Sequence, residues 1–171
     1  MMRIIAIIFI ILLLLSGCGE NTDTDLSGTD SIESQAENDK AFSFKYNNIT
    51  VRMNARAESV ITALGEPMDY FEAPSCAFQG MDKHYNYGSF EISTYELNDT
   101  DYIFTVVLLD DTVSAENGVY IGCSLSELLE AYGDDYTAEG RFYNYTSGDS
   151  TLQFIVDEDI VSGINYLAIL D

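Results

Sequence analysis

Two hydrophobic periods run through residues 42–171. Ala57, Val60, Ile61 and Leu64 stand at i, i+3, i+4, i+7, one face of a helix, and Leu125, Leu128, Leu129 and Tyr132 repeat the spacing. Each series predicts a short helix. Gly65 and Gly133 follow the helices as stops, because glycine takes the left-handed backbone cheaply, and Pro67 reinforces the first stop. Ser124 with Glu127 three residues on reads as a capping box. A short alternating strand leads into each helix, ITVR in one case and GVYIG in the other. Beyond each helix the period becomes two, the mark of half-buried strands. The first set is KHYNY, FEISTYEL and YIFTVVLLD, with CAFQ as a short strand ahead of it. The second is RFYNYT, TLQFIV and VSGINYLAIL.

The two series align. Gly65 meets Gly133, Val51 meets Val119, Val60 meets Leu128 and Ile61 meets Leu129, and the tripeptide YNY occurs at 85–87 and again at 143–145. The expectation is an α+β domain over residues 42–171, made of two tandem repeats, about 45–112 and about 115–171. Each repeat would be a short strand, a helix and an antiparallel meander, with the helices packed on one face of a continuous antiparallel sheet.

The elements ITVRMNARAESVITALGEP, GVYIGCSLSELLEAYG and F-Y-N-Y…L-Q-F…I-N-Y resemble the tandem helix-plus-sheet repeats of β-lactamase-inhibitor-protein-like (BLIP-like) domains, and the related small lipoproteins of outer-membrane assembly. The resemblance covers roughly residues 45–170. It implies protein binding, in the inhibitor through aromatic contacts on a concave sheet face. The chain has no tryptophan, and no pair of cysteines within each repeat, so β-lactamase inhibition itself is not implied.

The N-terminus changes the picture from fold to address. After Arg3 an apolar run extends from Ile4 to Leu15, shorter than the ~20 residues a bilayer-spanning helix needs, so residues 1–17 read as a signal peptide. Leu15-Ser16-Gly17-Cys18 resembles a lipobox, which implies cleavage before Cys18 and a lipid on its sulfur. The bilayer is then one partner, held through acylated Cys18, and the location is the extracytoplasmic face of the cell membrane. Residues 18–41 carry this cysteine and an acidic, Ser/Thr/Asn-rich stretch whose only branched aliphatics are Leu26 and Ile32. That composition predicts a disordered tether reaching ~25–30 Å.

The formal net charge is −22. Loss of residues 1–17 removes Arg3 and no acid, which makes it more negative still. Such a balance excludes nucleic acid, whose phosphates require Lys and Arg, and electrostatic docking on anionic lipid. Two cysteines remain after Cys18, and an exported domain permits a Cys76–Cys123 disulfide, with two buried free thiols as the alternative.

Catalytic signals are sparse. The chain carries no G-x-G-x-x-G, P-loop, C-x-x-C or G-x-S-x-G, and no calcium-loop spacing, so no catalytic residue, metal site or cofactor is expected. His84, the sole histidine, has no third group to form a triad with Cys76. The acidic pairs Asp110-Asp111 and Asp134-Asp135 and the run Asp157-Glu158-Asp159 read as turns. All twelve tyrosines lie in the folded part. Tyr85, Tyr87, Tyr143 and Tyr145 are candidate binding residues: alternation puts each pair on one face, as an outward aromatic platform or as core. The functional expectation is a non-catalytic, membrane-anchored binding or adaptor module for another exported or envelope protein. A surface hydrolase using two convergent carboxylates and a structural envelope lipoprotein are the alternatives.

Overall fold

The protein is described from a computed structural model that covers residues 40–78 and 80–170. The signal peptide, Cys18 and nearly all of the acidic tether lie outside the described residues.

The chain opens with a hairpin of β1 (Ser43–Tyr46) and β2 (Ile49–Arg52). Asn47 and Asn48 join them with φ of 46° and 65°, the left-handed pair whose twist matches that of a tight hairpin. Helix α1 (Ala57–Leu64) leads to β3 (Asp69–Pro74), β4 (Met81–Asn86), β5 (Phe90–Leu97) and β6 (Thr100–Leu108). A 3-10 turn (Glu116–Gly118) and helix α2 (Leu125–Tyr132) precede β7 (Thr137–Glu139), β8 (Phe142–Ser147), β9 (Ser150–Asp157) and β10 (Ile160–Ala168). Strands β3 to β10 form one antiparallel sheet in the order β3-β4-β5-β6-β10-β9-β8-β7.

This architecture corrects the expected α+β class with its helical layer over tandem repeats. The fold is mostly β, an eight-stranded antiparallel sheet with two eight-residue α-helices among the described residues. The reason is dimensional. Eight strands span roughly 34 Å at ~4.8 Å per strand, whereas eight helical residues extend only about 12 Å. Two such helices cannot roof the sheet. The β1–β2 hairpin completes the cover, burying Phe44, Val51 and Met53 at 0–2% exposure.

Local signals for the helices hold. Gly65 and Gly133 end them at φ of 83° and 75°, their amides donating to the Ile61 and Leu129 carbonyls. The capping box is formed: the Ser124 amide donates to Glu127 Oε2 at 2.8 Å and the Glu127 amide to Ser124 Oγ at 3.3 Å. Leu128 is fully buried. Two expected strands are absent. GVYIG takes no extended pairing, since Gly118 and Gly122 sit at φ of 82° and 112°. Instead it bonds to the start of β10 through Gly122 N–H to Val161 O and Val161 N–H to Cys123 O. Cys76 to Phe78 form bends, and the extra strand of that region is β3, closer to the helix.

Registers define two sheet faces. Tyr70, Tyr85, Ile92, Val106, Tyr166, Leu152 and Tyr145 are consecutive cross-strand partners from β3 to β8. This row belongs to the covered face, where Ile92, Val106, Leu152 and Tyr166 are 0% exposed and pack with Phe44, Phe90, Ala57 and Leu128 in the main core. One residue out of step lies the opposite row: Phe71, His84, Ser93, Thr105, Leu167, Thr151 and Thr146.

Candidate functional site

The four candidate tyrosines sit on the covered side, which corrects the outward-platform alternative. Tyr145 is 4% exposed, its ring contacts Tyr132, Tyr136 and Phe154, and its hydroxyl donates to the Gly133 carbonyl at 2.8 Å. Tyr87 stacks on Phe90 at 5.1 Å, with its hydroxyl toward the Gly65 carbonyl at 3.5 Å. Tyr85 packs on Tyr70 and Tyr143 on Tyr136. Each YNY strand thus props the end of a helix: one hydroxyl reaches the carbonyl of the glycine that stops α1, another that of the glycine that stops α2. Burial, above all, pushes the hydroxyls of Tyr85 and Tyr87 up, and that of Tyr145 to about 12.

The disulfide is corrected too. Cys76 and Cys123 are both free, Cys76 exposed on the loop after β3 and Cys123 buried beside α2. Cys123 Sγ accepts instead from the Tyr120 amide at 3.4 Å. His84 faces Glu91, Nδ1 to Oε1 at 2.9 Å, and its ring lies against Phe71, so its partners are a carboxylate and an aromatic ring.

The face opposite the tyrosines has the character of a contact surface. Asn144, Gln153 and Asn165 are cross-strand neighbours on β8, β9 and β10. Their amides form a ladder, Asn165 Nδ2 donating to Gln153 Oε1 at 3.0 Å and Gln153 Nε2 to Asn144 Oδ1 at 2.9 Å. Beside it run hydroxyl pairs, Thr146 with Thr151 at 3.2 Å and Thr105 with the buried Ser93 at 2.7 Å. Val107, Ile155 and Leu167 add half-buried apolar area, and none of them belongs to the main core. On its four central strands, β5, β6, β10 and β9, this face presents one acid between the ends, Glu91, and His84 is its partner. At one margin Phe71 is 60% exposed on edge strand β3; at another Arg141 pairs with Asp157 at 3.1 Å and covers the Phe142 ring. The sequence carried the signal in the polar alternates of TLQFIV and INYLA, which mark the side away from the core.

Comparison with known proteins places the fold and goes no further. No protein-family model matches the chain, and no curated protein matches it. Among solved structures it is similar to an extracellular protein containing an SCP domain from Bacillus anthracis, with a TM-score of 0.51 and 12% identity over 90% of this chain. This chain spans 50% of the length of that protein. A DUF4309 family protein (YjgB) from Bacillus subtilis aligns with a TM-score of 0.41 and 17% identity over 71% of this chain and 83% of its own. Among the described residues no helix is long and apolar enough to cross a membrane.

Proposed function

We propose that the protein is an exported, lipid-anchored and non-catalytic binding module that engages another exported or envelope protein through the open face of its sheet. The carrying observation is the contrast between a chain of net charge −22 and a sheet face whose centre is amides, hydroxyls and short apolar side chains. Desolvating a neutral amide that regains a hydrogen bond costs far less than desolvating a carboxylate, so this face is the part of the surface best suited to protein contact. Phe71 supplies an exposed aromatic anchor at its margin. Four of the acids singled out in the sequence are engaged in turns and local pairs. Asp110 accepts from the Thr112 amide, Asp157 pairs with Arg141, and Glu158 and Asp159 hold a left-handed turn.

Anchoring rests on the apolar run and LSGC ending at Cys18, and the extracellular neighbour favours the same setting. The test has two arms. Cys18→Ser should abolish incorporation of a clickable fatty acid and release the protein from membranes. Gln153→Arg with Thr105→Arg should abolish crosslinking of the full-length chain to its partner in intact cells while the chain still folds cooperatively, the lost side-chain hydrogen bonds costing about 1 kcal/mol each. Undiminished crosslinking by the double variant would remove the open face from the proposal, and persistent labelling of Cys18→Ser would remove the anchor.

A further inference from the structure

The two ends of the sheet differ in what they expose. At one end lie the acids that follow β6 and those of the β9–β10 turn, Asp110, Asp111, Asp157, Glu158 and Asp159. At the other, the tip of the β5–β6 hairpin and the chain just beyond β10 expose Leu97, Ile169 and Leu170 at 53%, 37% and 39%. These three line one cavity of about 850 Å³ together with Phe78, and the acids of its lining are Glu96, Asp99 and Asp149.

The segment that follows Cys18 reaches the domain at this second end. Ser147 Oγ donates to the Lys40 carbonyl at 2.8 Å, and the Phe42 amide donates to Ser150 Oγ at 2.8 Å, both beside the β8–β9 turn. Asp149 of that turn accepts, at its backbone carbonyl, from the Ile169 amide at 2.8 Å, so the entry point adjoins the exposed Ile169 and Leu170. Only residues 19–39 separate Cys18 from Lys40. At ~3.3–3.6 Å per residue they never let the domain stand more than about 80 Å from the lipid.

We infer that this end of the sheet is a bilayer-contact surface, Leu97, Ile169 and Leu170 entering the interface of a zwitterionic membrane while the strands run away from it. Apolar side chains gain in proportion to the area they take out of water, and three of them are too few to hold a free domain on lipid. The connection to Cys18 makes the encounter intramolecular, so a weak contact is enough. The neighbouring carboxylates Glu96, Asp99 and Asp149 decide the lipid class, since they repel an anionic surface and tolerate phosphocholine, whose outermost charge is cationic. A second copy of the chain is a poorer cover, because it would bring the same acids and a net charge of −22 to the same place. The inference rests on the Cys18 anchor of the proposed function and is independent of the open face.

The chain has no tryptophan, so one introduced at an exposed site reports alone. Full-length Leu97→Trp is compared with Leu109→Trp, whose site is 44% exposed at the opposite end, after β6. Both are purified from membranes with Cys18 intact and reconstituted on phosphatidylcholine vesicles with and without bromine along the acyl chains, and the vesicles are floated. The expected result is co-flotation of both variants, with emission shifted to the blue and quenched by bromine for Leu97→Trp alone. Adding Leu170→Asp, or mixing phosphatidylglycerol into the vesicles at low salt, should reverse the shift and the quenching. Co-flotation without quenching of Leu97→Trp, equal quenching of Leu109→Trp, quenching indifferent to Leu170→Asp, or quenching strengthened by phosphatidylglycerol would overturn the inference and leave the anchor standing. A blue shift without quenching would overturn it in favour of a second copy. Failure of the chains to float would remove the anchor and this inference together.

Discussion

Replacing Tyr145 with alanine tests the assignment of the YNY strands to the covered face. The ring is 4% exposed and touches three other rings, and the hydroxyl donates to the carbonyl of Gly133, the glycine that follows α2. Alanine removes the ring and leaves a hole between α2 and β9, because Tyr132 and Phe154 are themselves held in place, Tyr132 by its hydroxyl on the Glu116 carbonyl and Phe154 by full burial. Aromatic-to-alanine changes at such sites cost ~3–5 kcal/mol, set against a domain stability of ~5–15 kcal/mol. Tyr145→Phe keeps the ring and forfeits only the hydrogen bond, about 1 kcal/mol. Urea unfolding followed by far-ultraviolet circular dichroism at constant m-value should rank Tyr145→Ala well below Tyr145→Phe, with Phe71→Ala within ~0.5 kcal/mol of wild type. A Tyr145→Ala midpoint equal to wild type would mean that the ring faces solvent, and the assignment of the two faces would be reversed.

Leu128→Asp places a carboxylate at a fully buried site and should unfold the domain, whereas Glu130→Ala, on the exposed side of α2, should shift thermal melting by less than ~0.5 kcal/mol. Alkaline unfolding should set in above pH 10. Tyr145 has its folded-state pKa raised from 10.0 to about 12 by burial, so its contribution is complete below pH 10 and is lost as pH rises toward 12; tyrosinate absorbance should rise together with loss of structure, and independent, non-cooperative ionisation would refute this. Cys76 should react with a thiol reagent in the native protein and Cys123 only after unfolding, and mass spectrometry of the labelled protein should find no Cys76–Cys123 bridge.

The sequence made the central strands and both helices legible because each has one side in the core. TLQFIV alternates as Leu152, Phe154 and Val156 turn inward, and the α2 face is marked by Leu125 and Leu128. Edge strands lack that imprint. Residues of β3 and β7 are exposed on both sides, so DYFEAP and TAE show no alternation to read. The β1–β2 hairpin could have been found from Asn47-Asn48 between alternating runs. Fold class was missed because helix length, not helix presence, decides how much of a wide sheet a helix can cover. For the candidate site, tyrosine pairs stood out by composition, but alternation alone assigns two faces without saying which one is inside. The cavity was illegible, since Asn54, Phe78, Glu96 and Asp149 converge only through the β2–α1 link, the loop around Gly80, the end of β5 and the β8–β9 connection.

The central position of β10 governs how the molecule is made. It pairs with β9 on one side and with β6 on the other, so the last strand in chain order joins the two halves of the sheet through Leu108, Val107, Val106 and Thr105. A polypeptide emerging N-terminus first presents β6, nine residues long with Ile103, Val106 and Leu108 destined for the interior, as a bare hydrogen-bonding edge until β10 has followed it. That interval is a window for mispairing with neighbouring chains, and it shortens as synthesis of the segment between β6 and β10 quickens. A chaperone that shields apolar strands would be needed most during that interval, and a stop codon ahead of Ile160 would leave β6 paired with β5 alone and its other edge open.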